Sequence, residues 1–361
     1  MVSLMRGDES RTGSAMRAGT RRRLGLWARI VVASMTIGAV YGALAAIATG
    51  GASPLVGALV GLIQGAVVSS VVGGVEAFAQ PTWPLRVLER APFLVTVAVK
   101  ALIYGSVIVL VVGGELGVRL VGVRPVQGLL DSPLAPLSIA MSFALTFAFI
   151  FLLQVSRIVG GRTLRDVVLG RYHRPRVEDR FFLFVDIAGS TSIAERLGPD
   201  AVHRFLGHVF RVASAPIDDH RGEVYQYVGD EIVVTWTADE GRRGAAALRC
   251  FFAMERALAG AARDFQRDFR HVPVVRGALH AGRVVSGEVG GTRRAIVFHG
   301  DVMNTAARLE QASRELNRRF VVSADALERL PPVDGLGLED LGPQRLRGRD
   351  APVRVFGAAA A

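Results

Sequence analysis

Lysine is almost missing from this 361-residue chain; Lys100 is the only one. Cysteine is equally scarce. Cys250 alone can form neither an intramolecular disulfide nor a multi-cysteine zinc site, so a reduced compartment is the default setting. The chain also lacks any internal repeat, and no low-complexity tract occurs beyond a short alanine tail. Repeat architectures are thereby excluded. What the chain has in excess is apolar residue and arginine. Hydrophobic residues make up 50%, mean hydropathy is +0.35, and the formal net charge is +11 despite a charged content of only 21%. These values fit one chain only if greasy and charged parts are segregated, and the length leaves room for about two domains.

The greasy part comes first. Four apolar runs, about 27–49, 54–76, 92–113 and 134–155, each hold about 22 residues, or about 33 Å as helix against a hydrocarbon core of about 30 Å. The expectation is a membrane domain of four transmembrane helices over 27–155, preceded by a basic arm over 1–26. Arginine placement orients it. Arg6, Arg11, Arg17 and Arg21–Arg23 precede the first run, Arg86 and Arg90 lie in the second connection, and Arg157, Arg162 and Arg165 follow the fourth run. The first connection carries no charge, and in the third Arg119 and Arg124 are balanced by Glu115 and Asp131. Both termini are therefore expected in the cytoplasm of a cell whose inner membrane the chain crosses. Beside a membrane span the basic arm reads as a topology signal with affinity for anionic lipid, so the bilayer is a partner and nucleic acid is not. Lys100 sits inside the third run, where it needs a partner such as Glu76 or access to water.

From Gly160 onward the texture is charged. A connector over 156–180 leads to a domain over 181–361. "FFLFVDIAGSTSIAERLG" reads as a short apolar strand, an acid at its end, a small-residue turn and a helix, with Ser192 and Glu195 at capping-box spacing. Further strands are expected at "GEVYQYVGD", "EIVVTW", "VVRGALHAGRVVSGEVG", "RRAIVFHGD" and "RFVVSA", and helices over about 191–212, 241–267 and 302–316. Strand–helix–strand–strand–helix–strand is the order of an α/β ferredoxin-like domain with an antiparallel sheet.

In that fold Asp186, at the end of the first strand, and Asp230, at a hairpin tip, converge on one sheet edge. Two carboxylates with few competing ligands suit Mg²⁺, which completes its shell with water and phosphate oxygens. The turn of Gly189, Ser190 and Thr191 opens a helix whose free N–H groups favour phosphate. Together they describe a two-metal nucleotide site for phosphoryl chemistry. Glu231, next along the strand, is expected to point away from Asp230. In "HGDVMNTAARLE" Asp301 is placed to cap a helix, and Asn304 and Arg308 share one of its faces. An amide beside a guanidinium can hold a ribose and neutralise a charged transition state. A solvated helix face fits the same spacing.

"FVDIAGST", "YVGDE" and "GDVMNTAARLE", in this order, resemble the class III nucleotidyl cyclases over about residues 172–356. The resemblance implies a homodimer with its sites at the interface, binding two Mg²⁺ or Mn²⁺ ions per site. Metal is held at the Asp186 and Asp230 positions and by the backbone carbonyl at the Ile187 position. Asn304 and Arg308 come from the other protomer, and Arg347 in "RLRG" falls near a basic position that meets the terminal phosphates. The implied reaction is ATP, or alternatively GTP, to a cyclic nucleotide and pyrophosphate in intracellular signalling. Two positions depart from the family's adenylyl pattern. Gln226 stands where many members have lysine, and Val297 stands where aspartate or threonine reads the base. A glutamine amide can donate or accept, whereas valine can only pack. The substitutions leave open a guanylate or mixed cyclase, or a catalytically weak nucleotide-binding signalling module. A diguanylate cyclase, faintly echoed by "VGDEI", is opposed by the Asn304–Arg308 helix.

Overall fold

A computed structural model describes residues 27–28, 31–32, 34–44, 46–47, 53–78, 91–113, 135–292, 294–333, 335–349 and 351–360. The chain divides into two compact units, Met1–Val159 and Gly160–Ala361.

In the first unit, helices α1 (Pro54–Phe78), α2 (Phe93–Gly113) and α3 (Ala135–Val159) coincide closely with the second, third and fourth apolar runs. The expected set of four transmembrane helices is nevertheless not supported. Among the described residues no helix is long and apolar enough to cross a membrane. The run at 27–49 is described only in short pieces, and many side chains of α1, α2 and α3 lie outside the described residues. Backbones approach very closely between the first run and α1. A Cβ on Gly57 would strike the carbonyl oxygen of Gly42, and one on Gly61 that of Gly38. Such spacing of small residues lets helices pack backbone to backbone. Lys100 is buried on α2, as are Thr96 and Tyr104, four residues to either side on the same face. The side chain of Glu76, its expected partner, lies outside the described residues.

The second unit opens with the short helix α4 (Gly161–Val168), whose Thr163 hydroxyl donates to Glu223 Oε1 at 2.6 Å. Strand β1 (Arg176–Ile187) follows and is twelve residues long, twice the expected length. Its apolar run is buried on both faces. Phe181, Leu183, Val185 and Ile187 face one cluster; Phe182 and Phe184 face the other. Period-2 alternation therefore appears as unbroken hydrophobicity, as in any strand covered on both sides.

The expected helix over 191–212 is two helices. α5 (Ser190–Leu197) ends at Gly198, whose φ of 74° breaks the spiral, and Pro199 starts α6 (Pro199–Asp219). α5 begins at Ser190 after Gly189 without a side-chain cap, so Ser192 and Glu195 form no capping box. β2 (Glu223–Val228) and β3 (Glu231–Thr237) form a hairpin. The region expected as one helix over 241–267 holds α7 (Ala238–Arg242), α8 (Ala246–Gly260) and α9 (Ala262–Phe269). Phe205, Val209, Ala213 and Ile217 of α6 and Leu248, Phe251 and Met254 of α8 fill the first cluster against β1. Burying each such side chain contributes about 1.5–3 kcal/mol.

β4 (Val275–Val289) pairs with β1 along its whole length and with β5 (Ala295–His299) at its far end. α10 (Asp301–Glu315) covers the second cluster with Val302 and Ala306. Gly300 occupies its N-cap position, so Asp301 is the first helical residue rather than the cap. β6 (Phe320–Ser323), α11 (Ala324–Glu328), β7 (Leu336–Gln344) and β8 (Val353–Ala360) complete the unit.

The sheet order is β2-β3-β1-β4-β6-β8-β7, with β5 off this path on β4. The four strands β2-β3-β1-β4 are antiparallel, as expected of a ferredoxin-like core. The full sheet is mixed, which corrects the expectation of an antiparallel one. β6 runs parallel to β4, because α10 carries the chain back across the sheet before β6 begins.

Candidate active site

The site is assembled where β1 ends and the β2–β3 hairpin turns. Antiparallel pairing of β1 with β3 runs to Val185↔Ile232, which brings Asp186 beside the hairpin tip. That tip is Gly229–Asp230, closed by the Val228↔Glu231 pair. Gly229 has φ 62°, a left-handed conformation that a two-residue turn uses and that glycine adopts without strain. The turn exposes Asp230 toward Asp186 instead of committing it to the ladder.

Asp186 is buried and its carboxyl is pushed up to about 7. Burial is the main cause, and the neighbouring Asp230 carboxyl adds to it against the opposing pull of Arg314. Asp230 Oδ2 is buried without a hydrogen-bond partner. Arg314 Nη2 donates to Asp186 Oδ2 at 2.8 Å, and its Nε donates to Glu310 Oε1 at 3.2 Å. Glu231, the first residue of β3, is half-buried. Its carboxyl is also pushed up to about 7, by burial first and then by Glu310 and Asp230, so it shares the acidic cluster.

Arg314 bonds two of these acids, Asp186 and Glu310, and Arg276 stands opposite Asp186 on β4. The residues fit a divalent cation: one monovalent group already sits on Asp186, and a buried oxygen of Asp230 still lacks a partner. Among the described residues no three histidine, cysteine or acidic side chains gather as a ready-made metal cage. Asp186 and Asp230 would hold a metal together with phosphate and water, the Ile187 carbonyl lying at the end of the same strand. The Gly189–Thr191 turn stands at that strand end too, with Gly189 at φ 74° and the N-terminus of α5 open above it.

Asn304 and Arg308 are on α10, the first exposed and the second half-buried. They share a face, but it is not the face of Glu310 and Arg314. At 100° per residue the two pairs point about 80–160° apart, and Asn304 lies about 15 Å along the axis from Arg314. Helix geometry therefore does not bring Asn304 onto the carboxylates of the same chain. Arg308 instead lies against the 345–349 loop, near Gly348. Arg349 donates to Thr305 Oγ1 at 3.0 Å and pairs with Asp301 at 3.5 Å, tying that loop to α10. Arg347 is exposed on the same loop. Gln226 is exposed on β2 just after a bulge at Tyr225, and Val297 is half-buried on β5 opposite Gly287.

Sequence reasoning missed Glu310 and Arg314. Their i,i+4 spacing was visible, but it also describes an ordinary exposed ion pair. It missed Arg349 because only the loop's fold shows which of its arginines reaches α10.

Residues 173–356, just over half of the chain, match the adenylate and guanylate cyclase catalytic domain. Adenylate cyclase 2 of Rhizobium meliloti is 38% identical over 227 residues, covering 63% of this chain and 62% of that protein. Guanylate cyclase 2D of Rattus norvegicus is 32% identical over 170 residues, covering 46% of this chain and 15% of that one. The chain thus spans less than two thirds of the length of these relatives. Among solved structures, a bacterial light-regulated adenylyl cyclase superposes with a TM-score of 0.50 at 20% identity, over 59% of this chain and 63% of that one. The adenylyl cyclase CyaB of P. aeruginosa gives 0.47 at 21% identity, over 52% and 97%.

Proposed function

The chain belongs to the adenylate and guanylate cyclase family, and from that membership we propose that it is an adenylate cyclase acting as a homodimer. The observation that carries this reading is the convergence of Asp186 and Asp230 with a buried carboxylate oxygen left unpaired. Two Mg²⁺ or Mn²⁺ ions bound there would offset the phosphate charge and lower the pKa of the ribose 3′-hydroxyl. Asp186 and Asp230 would hold those ions, which would supply charge for the triphosphate, and the Gly189–Thr191 turn offers N–H groups to phosphate oxygens. The 3′-oxygen bonds to the α-phosphorus as the bond to the β-phosphate oxygen breaks. Cyclic AMP and pyrophosphate result, and the hydroxyl proton passes to solvent.

Asn304 and Arg308 of the second protomer hold the ribose and the developing charge on the α-phosphoryl group. Their distance from the carboxylates of their own chain supports a site shared across a dimer. Arg347, exposed on the 345–349 loop, is our candidate for the terminal phosphates.

Gln226 and Val297 favour a second reading in which GTP is also accepted, since neither side chain supplies a fixed donor–acceptor pattern for adenine. The full-length chain, purified and assayed with ATP and GTP in Mg²⁺ and in Mn²⁺, is expected to form cyclic AMP fastest. No cyclic product from either nucleotide at high protein concentration would rule out the enzyme.

We also propose that the first unit anchors the enzyme in the inner membrane with the catalytic unit cytoplasmic. Support comes from the four apolar runs and their arginine flanks, from the glycine contacts at Gly38, Gly42, Gly57 and Gly61, and from outward-facing Leu55, Leu94, Leu102 and Leu152. The chain should stay with membranes through alkaline carbonate washing; release into the wash would remove the anchor.

A further inference from the structure

Arg314 holds one of the two carboxylates that the proposed reaction needs for metal. It bridges Asp186 at 2.8 Å and Glu310 at 3.2 Å. The two contacts differ in kind. Glu310 is almost fully buried, lies one turn before Arg314 on α10, and engages Nε, with a second contact from Nη2 at 3.4 Å. Asp186 is on another element and is engaged through Nη2 alone. The Arg314 side chain is itself half exposed, so its Nη2 end can swing into solvent while Nε stays on Glu310.

The charges around it favour exchange. Arg314 is bonded to Asp186 and Glu310, while Asp230 Oδ2 is buried without a partner. A divalent ion between Asp186 and Asp230 would satisfy both carboxylates, and a guanidinium on Asp186 blocks the approach.

We propose that Arg314 is a counter-cation that competes with a divalent ion for Asp186, a positioning residue that keeps Asp186 in place and must release it for the ion to bind. The proposal rests on the assignment of Asp186 and Asp230 as metal ligands. It has a consequence for the dimer. Arg314 rides on the helix that presents Asn304 and Arg308, so metal entry at one site frees the end of the helix that serves the other.

The test is Mn²⁺ binding to the full-length chain stripped of metal, with free Mn²⁺ read by electron paramagnetic resonance. Arg314→Met should bind Mn²⁺ about 3- to 10-fold more tightly than wild type, the range expected from losing a half-exposed competing ion pair. Arg314→Lys, which keeps the charge, should stay close to wild type. The double variant Glu310→Gln/Arg314→Met is decisive. It leaves net charge unchanged and removes the buried Glu310 carboxylate together with its partner, so it tolerates folding where the single variant fails. If Arg314 competes for Asp186, the double variant also tightens; if Arg314 merely adds positive field, the double variant binds like wild type and the proposal falls. Unchanged or weaker binding in both Arg314→Met variants overturns it as well. Asp186→Asn separates the two levels of inference. Loss of Mn²⁺ binding there upholds the metal site whatever Arg314 does, whereas no effect removes the metal assignment and this proposal together.

Discussion

Arg308 packs against Gly348, with its guanidinium nitrogen 3.4 Å from the point a Cβ on that glycine would occupy. Gly348 has φ 69°, so a side chain there meets both a strained backbone and the arginine. Gly348→Ala should shift Arg308 from its resting place without touching either carboxylate. The expected outcome is a fall in kcat of about tenfold or more, since small misplacements of charge-stabilising groups cost that much. KM for ATP should change far less. Steady-state kinetics with Mg-ATP decides it, and a change confined to KM would mean that Gly348 does not position Arg308.

The separation of Asn304 from Asp186 along and around α10 makes a prediction about mixtures. Asp186→Ala and Asn304→Ala homodimers should each be inactive. Mixed as equal partners with random reassociation, they should recover about a quarter of wild-type activity, because half of the dimers then carry one intact site. Coexpression of the two variants with different tags, followed by tandem purification, isolates the mixed dimers, which should show about half of wild-type activity. Tandem-purified mixed dimers without activity would place both residues in one protomer's site.

The catalytic core was legible because its strands are extreme. "FFLFVDI" can be little else than a strand covered on both faces, and Asp186 and Asp230 follow from where such strands stop. Boundaries that depend on backbone geometry were less visible. Gly198 splits one expected helix because its φ is positive, and nothing in "ERLGPDAV" fixed that beyond a glycine and a proline. β7 was hidden because "LGLEDLGPQ" is largely exposed and charged, so it shows no apolar alternation. The parallel placement of β6 follows from the crossover by α10, a tertiary relation that periodicity does not carry.

His280 supplies a pH dependence away from the nucleotide site. It is buried on β4 with Nδ1 2.7 Å from Ser323 Oγ, and burial pushes it down to about 4 from an ordinary 6.5. Asp325 and Asp301 oppose that shift, while Arg349 and Arg329 reinforce it. The unfolded chain therefore binds a proton at this residue between pH 6.5 and 4 that the folded chain refuses. Stability is full above pH 6.5 and is lost as the pH falls toward 4, by about 2 kcal/mol at pH 5. His280→Asn should lower Tm at pH 8 yet flatten its decline between pH 7 and 5. Parallel declines in both proteins would show that His280 is not the group responsible.

On the proposed reading, Gln226 and Val297 are the side chains that would face the purine. Gln226 lies four residues before Asp230 on the same hairpin and is exposed, while Val297 on β5 offers only methyl groups. An aspartate at 297 would accept a hydrogen bond from the adenine amine and repel the guanine carbonyl oxygen. A lysine at 226 would donate to an acceptor on the ring. The amide present now can serve either base by turning over. Val297→Asp combined with Gln226→Lys should therefore raise the ratio of kcat/KM for ATP over GTP by about tenfold or more, the value of one well-placed hydrogen bond opposed by one repulsion. Val297→Asp should account for most of the change, because lysine alone can also donate to guanine O6. Competition assays with both nucleotides in one reaction give the ratio directly. A ratio unmoved in the folded double variant would mean that the base is read by backbone groups instead of these two side chains.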